Sequence, residues 1–323
     1  MKLAFDARCE SGKASSFTRV LELWRHAADV VDLEYINWHE GFCNADVLLS
    51  PNGDVAPIKG PVKIAAFHDV NPLQPQPSSW LRRAPAILAL KKTARNLQLN
   101  ADYVITGSNF AKQSIGVAFP VLSDKLHVIP HYPSPIFTPG EIDYDLLNRH
   151  SLPANCVLFV SALDKQKNWG GMLAAWSALP SELQLNHPLV FVGSKKKVPR
   201  NMKTGNVIFT GRIDDQVLLN LYRSAKLMVF PSFAEGFGLP PLEALCSGCP
   251  VIASETTSIP EVLGDSIDYF NPFEMSSIMT TLEKHVALPR PVIDYKSTWS
   301  AELTGGKLLK LINDICAAPR NEK

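Results

Sequence analysis

Residues 231–254 read PSFAEGFGLPPLEALCSGCPVIAS. In front of them stands KLMVF (226–230), a short apolar run with the composition of a buried strand, and Pro231 ends it. Pro240 and Pro241 suit the first turn of a helix, where a missing N–H is no loss, and Gly248 with Pro250 marks the end of that helix. PVIAS (250–254) is the next strand. Strand, loop at 232–239, helix and strand together make one step of a parallel α/β sheet.

The same alternation extends in both directions. The second half offers CVLFVSA (156–162), PLVFVG (188–193), NVIFTG (206–211) and IDYF (267–270) as further strands, with helices near 168–179, 214–225, 240–247 and 274–286. The first half offers KLAF (2–5), DLEYI (32–36), DVLLS (46–50), VKIAAF (62–67), DYVIT (102–106) and LHVI (126–129), with helices at 15–29, 80–99 and 108–116. Between the halves, Pro130, Pro133, Pro135 and Pro139 exclude regular structure and read as a linker. The expected organisation is an N-terminal domain at 1–138, a second domain at 139–300, and a C-terminal helix at 301–323 that returns to the N-terminal domain. Ligands of open α/β sheets bind at the carboxyl ends of strands, so two doubly wound Rossmann-like domains facing across a cleft are expected to hold the ligand there.

Composition narrows the function. The chain has 323 residues, 46% hydrophobic and 20% charged, which fits a globular protein with a sizeable core. Lys and Arg total 32 against 31 Asp and Glu, so no global field attracts nucleic acid. Asp6 and Arg8 interrupt the stretch where a signal peptide needs apolar residues, and no segment has the length to span a bilayer. The expectation is a soluble cytoplasmic protein. Its six cysteines lie mostly among apolar residues and read as reduced thiols.

The loop at 232–239 carries the chemistry. Gly236 and Gly238 permit positive φ and let a ligand reach the backbone. The N–H groups at the helix start favour an anion such as a diphosphate. Glu235 and Glu243 then make sense as acceptors for hydroxyls at either end of that anion. Taken singly, Glu243 is equally a dipole-stabilising acid of the first turn, and Glu235 a solvated loop residue.

Glu235, seven residues and Glu243, within EGFGLPPLEAL and followed by PVIAS, resemble the EX7E signature of the retaining, GT-B-fold glycosyltransferases of family GT4. NVIFTGRIDDQVLLNLYRSAKLMVFPS before it and SIPEVLGDSIDYFNP after it extend the resemblance over roughly residues 156–285. FDARCESG, AAFHDVNPL, ADYVITGSNFAKQSI and KLHVIPHY are similar, more loosely, to the bacterial mannosyltransferase-like branch. The resemblance implies that Glu235 contacts the donor sugar, that Gly236, Phe237, Gly238 and Leu239 offer backbone N–H groups to sugar or diphosphate, and that Glu243 holds the ribose. It makes Lys167 the cation for the leaving diphosphate, His68 a histidine near the sugar, and Gly12 the first-loop glycine. The implied reaction moves a hexose, mannose or similar, from a GDP- or UDP-sugar to a hydroxyl of a glycan or lipid-linked acceptor, with retention and without a metal or other cofactor, in surface polysaccharide or glycolipid assembly.

Two departures stand out. Ser161 and Ala162, or Gln166, occupy positions where family members carry arginine, and the first domain is short between residues 30 and 62. Lys165 or Arg212 is the available substitute cation for the donor. These departures motivate a second reading, a nucleotide-sugar-binding or scaffolding subunit with weakened catalysis. Sugar-nucleotide epimerisation shares the architecture but lacks evident catalytic acids.

Other motifs have plainer explanations. Cys246 and Cys249 form a CxxC at a helix end, where the dipole does not favour thiolate. SGKASS (11–16) lacks the upstream glycine of a phosphate loop. DYD (143–145) falls in the linker and reads as solvated acids, Ser258 and Glu261 read as a capping box, and SKKKVPRNMK (194–203) as an exposed basic loop. His68 is on its own a turn histidine. Residues 80–99 carry five Lys and Arg, no acid, and Trp80, Leu81 and Leu88. They read most simply as a solvated helix face, and alternatively as a peripheral contact with the inner membrane face.

Overall fold

The computed structural model describes residues 2–11, 16–194 and 205–317. They form two compact units, one of Met1–Leu73, Ser79–Tyr132 and Thr298–Lys323, the other of Gln74–Ser78 and Pro133–Ser297. No helix among the described residues is long and apolar enough to cross a membrane.

The first unit runs β1 (Leu3–Asp6), α1 (Ser16–Val30), β2 (Tyr35–Trp38), β3 (Val47–Ser50), β4 (Val62–Ala66), α2 (Trp80–Asn100), β5 (Tyr103–Thr106), α3 (Asn109–Ala118) and β6 (Leu126–Val128). The strands form one sheet in the order β2-β1-β3-β4-β5-β6, and every pairing is parallel. All residues of β1 and β3 are buried, as a parallel sheet covered on both faces requires.

The second unit runs α4 (Tyr144–Arg149), β7 (Val157–Val160), α5 (Trp169–Ser177), α6 (Ser181–Asn186), β8 (Leu189–Val192), β9 (Val207–Gly211), α7 (Asp215–Ser224), β10 (Leu227–Phe230), α8 (Leu239–Cys246), β11 (Val251–Ser254), α9 (Ile259–Leu263), β12 (Asp268–Phe270) and α10 (Met275–Ala287). Its sheet is also wholly parallel, ordered β12-β11-β10-β7-β8-β9. The last helix, α11 (Ala301–Ala317), belongs to the first unit, where Leu308, Leu311, Ile312 and Ile315 join the core formed by Leu21 and Trp24 of α1. Gly305 makes that packing close: a Cβ there would lie 2.4 Å from the Ala27 carbonyl oxygen.

Each sheet reverses direction beside its first strand, between β1 and β3 in one unit and between β7 and β10 in the other. Such a switch point splays two loops apart at the carboxyl edge and opens a ligand crevice.

Local differences from the sequence reading have identifiable causes. The strand expected at 32–36 forms at 35–38 instead, because Asp32 takes a left-handed φ of 53° in the turn after α1. The proline-rich segment gives way to helix α4, and Asp143, read as a solvated acid, caps it by accepting the Leu146 N–H at 2.8 Å. α6 and α9 span six and five residues, too short for helical periodicity to register.

Candidate functional site

The carboxyl ends of β7 and β10 lie side by side at the second switch point. From β7 the chain passes Ser161 and Ala162 to a 3₁₀ turn at Lys165–Lys167, closed by Asn168 at φ 53°. Lys167 thus sits in this turn, ahead of α5 rather than in its first turn. From β10 the chain enters residues 231–238, all of them buried.

Consecutive bonds join the two loops. The Phe233 N–H donates to the Gln166 carbonyl oxygen (2.9 Å), and Gln166 Nε2 donates to the Ala234 carbonyl oxygen (2.9 Å). Lys167 Nζ then donates to both carboxylate oxygens of Glu235, at 2.7 and 2.8 Å. Glu235 is only 7% exposed, and a carboxylate so placed needs a counter-charge. The ammonium has three N–H donors, so one is left after the two given to Glu235, while each carboxylate oxygen keeps a second lone pair. The pair can therefore face outward both as a cation and as an acceptor of hydroxyl protons.

The segment after β11 holds the opposite side of the loop. Ser254 Oγ and Thr256 Oγ1 donate to the Ser232 carbonyl oxygen, at 2.6 and 3.3 Å. Thr257 Oγ1 accepts the Glu235 N–H at 3.0 Å, and Ser258 Oγ lies 3.1 Å from the carbonyl oxygens of both Glu235 and Phe237. The expected capping box is therefore absent: Ser258 precedes α9 but makes no side-chain cap bond, because its backbone is already helical, at φ −79° and ψ −9°, where a cap needs an extended residue to turn its oxygen to the helix N–H groups.

The loop closes into α8 through Gly238, which has φ 99° and ψ 52°. A Cβ there would meet only Pro241 Cγ at 3.8 Å and Ile259 Cγ1 at 3.9 Å, so the backbone conformation, not crowding, calls for glycine. Gly236 does not share the positive φ expected of it. Since Pro240 and Pro241 lack N–H groups, Gly238 and Leu239 are the residues at this helix start whose N–H groups can face a ligand. Because α8 begins at Leu239, Glu243 is its fifth residue and lies in the second turn, 4% exposed, rather than in the first turn. That position weakens its reading as a dipole-stabilising acid.

The remaining candidate residues lie elsewhere. Arg212 follows β9, the edge strand two places from β7, and is exposed. Gly12 lies outside the described residues, as do most of SGKASS and residues 195–203. His68 follows β4 in the first unit, and its Nε2 lies 2.7 Å from the Pro51 carbonyl oxygen. A carbonyl can only accept, so Nε2 carries the proton and Nδ1 is the acceptor. Burial holds the His68 pKa below its ordinary value and keeps the ring neutral. Phe17 stacks on it and the His131 ring lies tilted beside it, each with its centroid 5.6 Å away. The CxxC thiols are no nucleophiles: burial pushes Cys246 up to about 11 and Cys249 up to about 12.

The first unit has a polar constellation at its own switch point that sequence reading passed over. Asp6, the last residue of β1, is buried and takes Arg8 Nε at 2.9 Å and Nη2 at 2.7 Å, and Ser50, the last residue of β3, donates to it at 2.8 Å. A cavity of about 120 Å³ opens there, lined by Asp6, Arg8, Cys9, Pro51, Asn52 and Asp54. The signal was available: an acid and an arginine two residues apart at a strand end, on a sheet whose order could not be read from sequence. Gln166, Thr257 and Ser258 were likewise missed as partners of the loop. The hydroxyl-rich run SETTS after a strand was their trace.

Residues 148–271 match the family model described as glycosyl transferases group 1. The chain is 32% identical over 214 residues to the serotype-specific mannosyltransferase WbdA of Escherichia coli, a match covering 62% of this chain and 24% of WbdA. It is 36% identical over 129 residues to the O-antigen chain mannosyltransferase B of Escherichia coli, covering 38% of this chain and 34% of that protein. The matches thus span about a quarter to a third of these curated relatives. Among solved structures, Anabaena HepE in complex with UDP-glucose superposes with a TM-score of 0.65 at 14% identity, over 97% of this chain and 100% of that one. That likeness bears on the fold.

Proposed function

We propose that this chain, which carries a GT4-type glycosyltransferase domain on a GT-B fold, moves a hexose from a nucleotide-diphosphate sugar to a hydroxyl of a glycan or lipid-linked acceptor. The observation that carries the reading is the Lys167–Glu235 pair at the switch point, beside the Gly238 turn and the start of α8. Glu235 accepts hydroxyls of the donor sugar through its second lone pairs. The third N–H of Lys167 and the N–H groups of Gly238 and Leu239 meet the diphosphate, whose charge grows as the glycosidic bond breaks. With those donors in place the reaction proceeds with retention and needs no metal or other cofactor. Glu243 takes the ribose, His68 offers Nδ1 to a sugar hydroxyl, and Arg212 completes the nucleotide site from the β9 loop.

The names of the relatives favour mannose as the sugar, in surface polysaccharide assembly. GDP and UDP both suit the site, and HepE binds UDP-glucose. The polar cavity beside Asp6 and Arg8 has the residue types that bind sugar hydroxyls and is the proposed acceptor-side subsite. A lipid-linked acceptor would be met at a cytoplasmic membrane surface. On α2, Trp80 and Leu81 are each 66% exposed and Leu88 is 65% exposed, beside exposed Arg82, Lys91 and Lys92. Large apolar side chains among cations suit a peripheral contact with anionic lipid.

One observation favours the scaffolding reading. The residue before Lys167 is not a cation, and its amide is committed to the Ala234 carbonyl. Incubation with GDP-mannose, UDP-glucose and related nucleotide sugars, following nucleotide release and product mass, separates the two. Turnover lost in Glu235→Ala and Lys167→Ala supports the enzyme and its site. Saturable binding without turnover under any acceptor supports the scaffold, and turnover indifferent to both substitutions refutes the site.

A further inference from the structure

Glu235 is held at every polar group it has. Its N–H goes to Thr257 Oγ1, its carbonyl oxygen to Ser258 Oγ, and its carboxylate to Lys167. Thr257 is also conformationally unusual. The described non-glycine residues with positive φ are Asp32, Ser151, Asn155, Asn168 and Thr257, and Thr257, at 57°, is the β-branched one. Asn and Asp tolerate this region, whereas a β-branched side chain is strained in it. Such strain persists where the surrounding structure over-determines it, and it gathers at functional sites.

If the turn alone mattered, glycine would adopt it without strain. Threonine adds a hydroxyl, and the left-handed conformation directs that hydroxyl both ways: it accepts from the Glu235 N–H and donates to the Thr256 carbonyl oxygen at 2.8 Å. The same turn carries the next residue, Ser258, beneath the carbonyls of Glu235 and Phe237. We infer that Thr257 and Ser258 are positioning residues, a strained hydroxyl turn that fixes the backbone of Glu235 and so aims its carboxylate. This rests on the proposal that Glu235 binds the donor sugar.

The test uses the full chain with Thr257→Gly, Thr257→Ser and Ser258→Ala. One readout is hydrogen exchange over residues 232–238 without ligand; the other is affinity and turnover with GDP-mannose and UDP-glucose. In Thr257→Gly, relief of strain offsets the lost bond, so the melting temperature holds while exchange quickens. Affinity for the nucleotide sugar falls about tenfold, the effect of one lost buried hydrogen bond. Thr257→Ser keeps the hydroxyl and behaves as wild type, and Ser258→Ala follows Thr257→Gly. The inference is overturned if Thr257→Gly leaves exchange over the loop unchanged, if it leaves binding and turnover of an accepted donor unchanged, or if Thr257→Ser loses as much as Thr257→Gly. Should the wild type bind neither nucleotide sugar, the donor reading fails, and exchange over the loop alone decides whether Thr257 positions Glu235.

Discussion

Replacing Lys167 with methionine keeps most of the side-chain stem and removes the charge, leaving the Glu235 carboxylate buried and unpaired. Breaking a buried pair from one side costs about 3–5 kcal/mol. The lower end applies here, because the Lys167 side chain is 20% exposed against 9% for Glu235, so water reaches part of the pair. A loss of about 3 kcal/mol lowers the melting temperature of a unit this size by about 6–12 °C. Glu235→Gln strands the longer, more exposed partner and costs about 1–2 kcal/mol. The double variant removes both charges and should cost no more than Glu235→Gln alone, so a coupling of about 3 kcal/mol or slightly more is expected. Urea unfolding of the four ligand-free proteins measures it. Costs that simply add, to within about 0.5 kcal/mol, would show that the two side chains do not support one another and would refute the reasoning.

Two further outcomes are expected. Burial and His68 lower His131 to about 3 in the folded state, against about 6.5 unfolded, so its contribution is complete above pH 6.5 and is lost as pH falls toward 3. Unfolding should show about 2 kcal/mol lost between pH 6.5 and 5, and His131→Phe should flatten that slope; an unchanged slope would refute the assignment. On α2, Leu81, Leu88, Lys92, Arg95 and Leu99 share one face at helical spacing. The chain should co-sediment with phosphatidylglycerol vesicles, less so at high salt and less so as Trp80→Ala/Leu81→Ala; equal binding by that variant would refute the contact.

Architecture was legible in the sequence because it is local. Runs such as VLFV and LMVF, buried on both faces, are continuous apolar strands, and Pro231, Pro240 and Gly248 mark where their connections begin and end. The two glutamates and Lys167 were legible as types. What sequence could not show was who holds them, since that depends on strand order: residues 166 and 234 meet because β7 lies beside β10, and 235 and 257 because β10 lies beside β11. Ser258 was misread for the same reason. Serine three residues before an acid at a helix start is a sound local signal for a capping box, and here the hydroxyl is instead turned to a non-local pair of carbonyls by a residue whose backbone is already helical.

The substitution of arginine by Gln166 gains meaning from that geometry. Within the proposed function a guanidinium at this position would add a fixed cation beside the departing diphosphate; the glutamine amide instead fastens the loop that carries Glu235, through Ala234. The site thereby exchanges electrostatic strength for rigidity. On the proposed reading, one ammonium already shared with Glu235, the N–H groups of Gly238 and Leu239, and the exposed Lys165 on the same 3₁₀ turn must meet the developing charge. Preorganised donors in a dry site act more strongly than the same charges in water, so fewer cations suffice if they cannot move. Gln166, Thr257 and Ser258 hold the loop still for that purpose, and catalytic strength in this chain should depend on those uncharged side chains as much as on the lysine.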